Sequence, residues 1–265
     1  MRPKPRYKIP AQAILLIAAF AAALLFGRPA AADDDSALAL QYYNRAVELH
    51  LAGHVPEAIE FYKKAIILDP EAAAYHADLG EAYRISNMFR EAIIELETSI
   101  QLDPTLVNAY TTLGVIMDHE DLPQRAVEYH RQALMIDPNS YVAYNNLGHA
   151  YLSLGLTRAA IVNYKKSIEL RPDFAPAYDN LGAVLMLVNQ PDEAADALEK
   201  AIKYAGENHP QLGLYYNDLG AAYNALNRLQ DAYDALQKAV KLMPNSNDIR
   251  MNLEFIINKI NGKSN

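Results

Sequence analysis

The chain has 265 residues, 51% of them hydrophobic, with 24 basic against 32 acidic side chains and a net charge of −8. That apolar content excludes a disordered polymer, and the acidic balance excludes nonspecific nucleic-acid binding through a basic stripe. The absence of cysteine excludes disulfides and an acceptor for a lipoprotein lipid.

At the N-terminus, Arg2, Lys4, Arg6 and Lys8 precede an apolar run from Ile14 to Phe26, and Ala30-Ala31-Ala32 precedes Asp33-Asp34-Asp35. This order of basic, apolar and small residues predicts a secretory signal peptide over residues 1–32, cleaved after Ala32. The alternative is an uncleaved anchor in the inner membrane formed by residues 9–27, long enough to approach the thickness of a bilayer. In both cases the basic flank stays inside, and the rest of the chain is exported to a periplasmic or other extracytoplasmic space. Removing residues 1–32 takes away five basic groups and leaves 19 against 32 acidic, a net charge of −13.

Beyond this segment the chain repeats itself every 34 residues. Units over 39–72, 73–106, 107–140, 141–174, 175–208 and 213–246 align Ala46, Gly80, Gly114, Gly148, Gly182 and Gly220 in one column. A second small column holds Ala58, Ala92, Ala126, Ala160, Ala194 and Ala232, and four residues later stand Tyr62, Leu96, His130, Tyr164, Leu198 and Leu236. Tyr42, His76, Tyr110, Tyr144, Tyr178 and Tyr216 form a bulky column, and Leu79, Leu113, Leu147, Leu181 and Leu219 another. His76 and His130 therefore read as core substitutions with a satisfied polar edge. Small residues on both helices of a unit let their backbones approach, while the tyrosines and leucines fill the space beside them.

Pro56, Pro123 and Pro191 mark the starts of second helices. Pro70, Pro104, Pro138, Pro172 and Pro244 follow their ends. The first unit departs from the pattern with Arg45 in the leucine column, and the fifth with Gly206 in place of its closing proline, followed by a junction longer by four residues. Residues 247–265 read as a capping helix and tail, with Ile249, Leu253, Ile256, Ile257 and Ile260 at helical spacing.

Segments such as Tyr144-Asn145-Asn146-Leu147-Gly148-His149-Ala150-Tyr151 and Leu102-Asp103-Pro104 resemble the tetratricopeptide repeat family. The resemblance covers residues 39–246. It implies an all-α fold: a right-handed α-solenoid of six helix-turn-helix repeats with a C-terminal capping helix.

The resemblance also implies where function sits, in a concave groove lined by the first helix of each repeat. Carried onto this chain, the groove residues are Tyr43, Asn44, Val47, Asp78, Thr111, Asn145, Asn146, His149, Asp179, Asn180, Asn217 and Asp218. Asn44, Asp78, Asn146, Asn180 and Asp218 form a column, broken only by Thr112, that resembles the asparagine ladder in the repeat domain of protein O-linked N-acetylglucosamine transferases. Amides there can donate to and accept from an extended backbone. The alternative is a polar position the repeat simply tolerates. Tyr75, Tyr141 and Tyr215 stand near the packing columns, open either to burial between units or to exposure at an interface.

No nucleophile elbow, phosphate loop or paired catalytic spacing is present, and His50 and His54 lack a third ligand nearby. The residues call for no cofactor and no metal. The expectation is a non-catalytic scaffold that binds a peptide or protein partner and supports assembly of an envelope complex. Two alternatives are a self-assembling structural protein, with homo-oligomers formed through the first unit, and a regulatory subunit of a separate envelope enzyme.

Overall fold

The computed structural model describes residues 30–262, with side chains from residue 34 onward. The signal-peptide or anchor expectation lies outside these residues, apart from the backbone of Ala30–Ala32. Among the described residues the fold is all-α, with 13 helices and no strand. They are α1 (Ala30–Leu51), α2 (Val55–Leu68), α3 (Ala73–Ile85), α4 (Phe89–Leu102), α5 (Val107–His119), α6 (Pro123–Ile136) and α7 (Tyr141–Ser153). Then follow α8 (Thr157–Leu170), α9 (Ala175–Leu187), α10 (Pro191–Ala205), α11 (Leu212–Ala225), α12 (Leu229–Leu242) and α13 (Asn247–Ile260). The chain divides into two compact units, one ending at Leu102 with α1 to α4, the other beginning at Asp103 with α5 to α13.

Each repeat is a pair of helices locked through its small column. Tyr62, Leu96, His130, Tyr164, Leu198 and Leu236, all on second helices, are each no more than 2% exposed. Opposite five of them lies a glycine of the first helix. A Cβ added at Gly80, Gly148 or Gly182 would lie 2.6 Å from a side-chain atom of Leu96, Tyr164 or Leu198, closer than real contacts allow. A further small column, Ala65, Ser99, Ala133, Ser167, Ala201 and Ala239, is wholly buried. Ser167 Oγ donates to the Tyr141 carbonyl at 2.8 Å, whereas Ser99 Oγ is buried with no hydrogen-bond partner.

The turn inside each repeat is made by one left-handed residue: Gly53, Asn87, Asp121, Gly155, Asn189 and Asn227 have φ of 82°, 58°, 57°, 71°, 58° and 59°. The next residue donates its N–H five residues back, as His54 does to Leu49 at 2.8 Å and Met88 to Tyr83 at 2.9 Å. This closes the exposed carbonyls at the first helix's end. Glycine meets no Cβ penalty in that conformation, and asparagine or aspartate tolerates it better than other residues. Asp121→Val is therefore expected to destabilise by about 1–2 kcal/mol, measured by thermal or urea denaturation.

The second helices start at or next to Pro56, Pro123 and Pro191. The fifth repeat ends differently: α10 runs to Ala205 and is stopped by Gly206 at φ 74°. α1 begins at Ala30, earlier than residue 39. In α13, Ile249 and Ile256 are buried, whereas Ile257 is 38% and Ile260 44% exposed. Eight residues from Ile249, Ile257 is turned about 80° off the buried face; Ile260 falls in the last turn. No helix among the described residues is long and apolar enough to cross a membrane.

Candidate functional site

Because the repeat is 34 residues long, equivalent positions on successive first helices lie side by side. The structure joins them by hydrogen bonds offset by one residue. In the second unit Asn180 Nδ2 donates to Asn145 Oδ1 at 2.9 Å, Asn252 Nδ2 to Asn217 Oδ1 at 2.8 Å, and Lys259 Nζ to Asn224 Oδ1 at 2.9 Å. In the first unit the Tyr43 hydroxyl donates to Asp78 Oδ2 at 2.6 Å, and its ring stacks on Tyr75 with centroids 4.4 Å apart. Burial, followed by the Asp78 hydrogen bond, holds the Tyr43 hydroxyl far above the usual phenol range.

These bonds show what the polar column does. Asp78, Asn180 and Asp218 are tied to neighbouring side chains, Asp218 Oδ1 accepting from Asn217 Nδ2 at 3.0 Å. Asn145 is 8% exposed and donates to Asn146 Oδ1 at 3.3 Å. The Thr111 hydroxyl turns back to its own helix, donating to the carbonyls of Val107 and Asn108.

One step of the ladder sets two carboxyls together. Asp179 takes the place of Asn145 and Asn217, and the residue that follows it in the ladder is Asp218, whereas the bonded steps join amides or a hydroxyl and a carboxylate. Asp179 Oδ1 is buried without a hydrogen-bond partner. Burial, and then the charge of Asp218, push the Asp179 carboxyl up to about 7. Asp218 is also raised by burial, against the lowering effect of its bond from Asn217.

A cavity of about 340 Å³ opens on the first-helix face of α5, α7 and α9, lined by Val115, Asp118, His119, Asn145, Asn146, His149 and Asn180. It brings together four of the expected groove residues: Asn145, Asn146, His149 and Asn180. Asp118 Oδ2 lies 3.6 Å from both His130 Nε2 and His149 Nδ1. Burial pushes the Asp118 carboxyl up, but the two histidines outweigh it and hold it below its ordinary range. The same contact raises the half-exposed His149. Thr111 on α5 and Asp179 on α9 lie outside that lining, Asn217 and Asp218 stand on the next first helix, α11, and Tyr43, Asn44, Val47 and Asp78 belong to the first unit.

Of the two readings open for the tyrosines, Tyr215 takes burial: it is 1% exposed, its ring stacked on His209 and its hydroxyl donating to Gln211, while Tyr75 and Tyr141 are half-buried. One expectation needs correction. His76 has its polar edge satisfied by Glu95 at 2.6 Å and the Pro70 carbonyl at 3.1 Å, but His130 has no hydrogen bond to either nitrogen.

The capping helix also belongs to the wall. A second cavity, about 230 Å³, is lined by Asn217, Gly220, Ala221, Asn224, Leu236, Asn252, Phe255 and Ile256. The 34-residue beat held the signal: Asn252 follows Asp218, and Phe255 follows Ala221, by that interval. No group of three or more metal-ligating side chains occurs among the described residues.

Tetratricopeptide repeat sequences match residues 38–72, 141–174 and 173–245. No curated protein matches the chain. Among solved structures, MamA is 30% identical, with 60% of this chain and 93% of MamA covered at a TM-score of 0.52. PilW, described as a widely conserved type IV pilus biogenesis factor, is 20% identical, with 83% and 98% covered at 0.70. The APC/C hetero-tetramer Cut9–Hcn1 superimposes at 0.76 with 17% identity, and this chain, 82% of it aligned, spans 42% of that one.

Proposed function

Because the chain belongs to the tetratricopeptide repeat family, we propose that it is a non-catalytic scaffold that binds a peptide segment or protein partner on its first-helix face. It acts outside the cytoplasm, supporting assembly of an envelope complex. The cavity between α5, α7 and α9 carries this reading, because it presents three amides, two histidines, an aspartate and an apolar valine on one face. A site of that character suits a polypeptide main chain with a few side-chain contacts. Export rests on the basic, apolar and alanine pattern of residues 1–32.

A photocrosslinking residue placed at Asn146 or Ala183, in cells, tests the face. Both positions are expected to yield an adduct with the same polypeptide, whereas Glu169, exposed on a second helix, is expected to yield none. Equal adducts from Glu169, or none from Asn146 and Ala183, would remove the first-helix face as the binding surface. A second reading, self-association through the first unit, draws on the exposure of Leu40 at 49% and Leu51 at 84% on α1; adducts between copies from those two positions are its signature.

A further inference from the structure

We propose that the first-helix wall of the second unit docks an extended, cationic segment whose large apolar side chain enters the cavity beside Phe255. This rests on the scaffold reading above and names the chemistry of the partner.

The apolar part of the argument lies in α13. A terminal helix needs a polar outer face for solubility, yet Met251 is 66% and Phe255 55% exposed. They are four residues apart and share a helix face. That face is the binding wall, since Asn252 and Lys259 join α13 to Asn217 and Asn224 of α11 as Asn180 joins Asn145. Phe255 lines a cavity together with Gly220, Ala221, Leu236 and Ile256 and the amides of Asn217, Asn224 and Asn252. An exposed aromatic beside an apolar cavity of side-chain size is the composition of an anchor pocket.

The charge follows from the rest of the wall. Asp118 already faces His130 and His149, but Asp179 and Asp218 follow one another in the ladder, Asp179 Oδ1 buried with no hydrogen-bond partner, and Lys259 is tied to Asn224 instead. A second copy of this chain, at net charge −8, would add repulsion across the contact, while a lysine or arginine of a partner would be drawn to it. A basic segment with one large apolar residue satisfies both features at once.

The test is fluorescence anisotropy of the full chain with short labelled peptides on a glycine and serine backbone. Flanking charge (lysine, serine or glutamate) and central anchor (phenylalanine, leucine or alanine) vary independently. Lysine peptides with a phenylalanine or leucine anchor are expected to bind about tenfold tighter than their glutamate or alanine counterparts. Phe255→Ala should erase the anchor preference and keep the charge preference, and Phe255→Leu should retain both; Asp218→Asn should weaken the charge preference alone. Helical circular dichroism checks that each variant is folded. Equal affinity for lysine and glutamate peptides, or an anchor preference untouched by Phe255→Ala, overturns the inference and leaves binding on this face standing. Binding by no peptide, or binding indifferent to Asn146→Ala with Asn180→Ala, overturns the scaffold reading as well.

Discussion

Tyr164→Ala is expected to destabilise the chain by about 3–5 kcal/mol, because its ring is wholly buried and truncation leaves a cavity between two helices. Gly148→Ala is expected to destabilise by about 1–3 kcal/mol through overpacking. Two effects compete at Gly148. Alanine in place of a helical glycine gains about 1 kcal/mol of propensity, but its Cβ would sit 2.6 Å from Tyr164 Cε1 and 2.8 Å from Cδ1. The ring has no exposed edge into which it can swing, so the clash wins. In a Tyr164→Ala background the ring is gone and the same substitution should become neutral or stabilising by up to about 1 kcal/mol. Urea denaturation of the two single variants and the double measures this reversal of sign; additive effects would show that Gly148 and Tyr164 do not interlock.

That pair illustrates which features are legible in sequence. Columns of one residue type, such as glycine against a large side chain, repeat visibly and place both helices of each unit. The left-handed turn column escapes, since Gly53, Asn87, Asp121 and Gly155 satisfy one backbone conformation with three residue types. The buried column of Ala65, Ser99 and Ala133 hides for a similar reason, size being conserved while polarity is not. The Asp118 contacts leave no periodic trace at all: Arg84, Leu152, Met186 and Asn224 occupy the equivalent places, so only three-dimensional structure brings His130 and His149 to that carboxylate. The polar column could be seen as a column, but its cross-repeat bonds could not, because they run 35 residues rather than 34.

The mismatched step of that ladder carries the second large effect. Asp179→Asn is expected to stabilise the protein at pH 8 and to flatten its stability between pH 4 and 8. The Asp179 carboxyl titrates near 7 when folded, against 3.8 for the ordinary group, so between those values the native state holds a proton that the unfolded chain has released. Native protonation in excess means that stability falls as pH rises, and the contribution, complete below about pH 4, is lost once pH passes 7. The full linkage is worth at most about 4 kcal/mol, and sharing of the proton with Asp218 reduces what one residue carries, so about 1–3 kcal/mol is expected at pH 8. The groups facing Asp179 are Asp218 and Tyr215 on α11 and Tyr164 on α8. An amide at 179 can donate to Asp218 at any pH, as Asn217 already does, and the buried repulsion disappears. His76 and His149, raised by Glu95 and Asp118, also lose stabilisation as pH rises past their folded values, so the readout is the difference between the wild-type and variant curves. Chemical denaturation at several pH values gives that difference; parallel curves would mean that Asp179 is ionised throughout and that the two carboxyls do not share a joint.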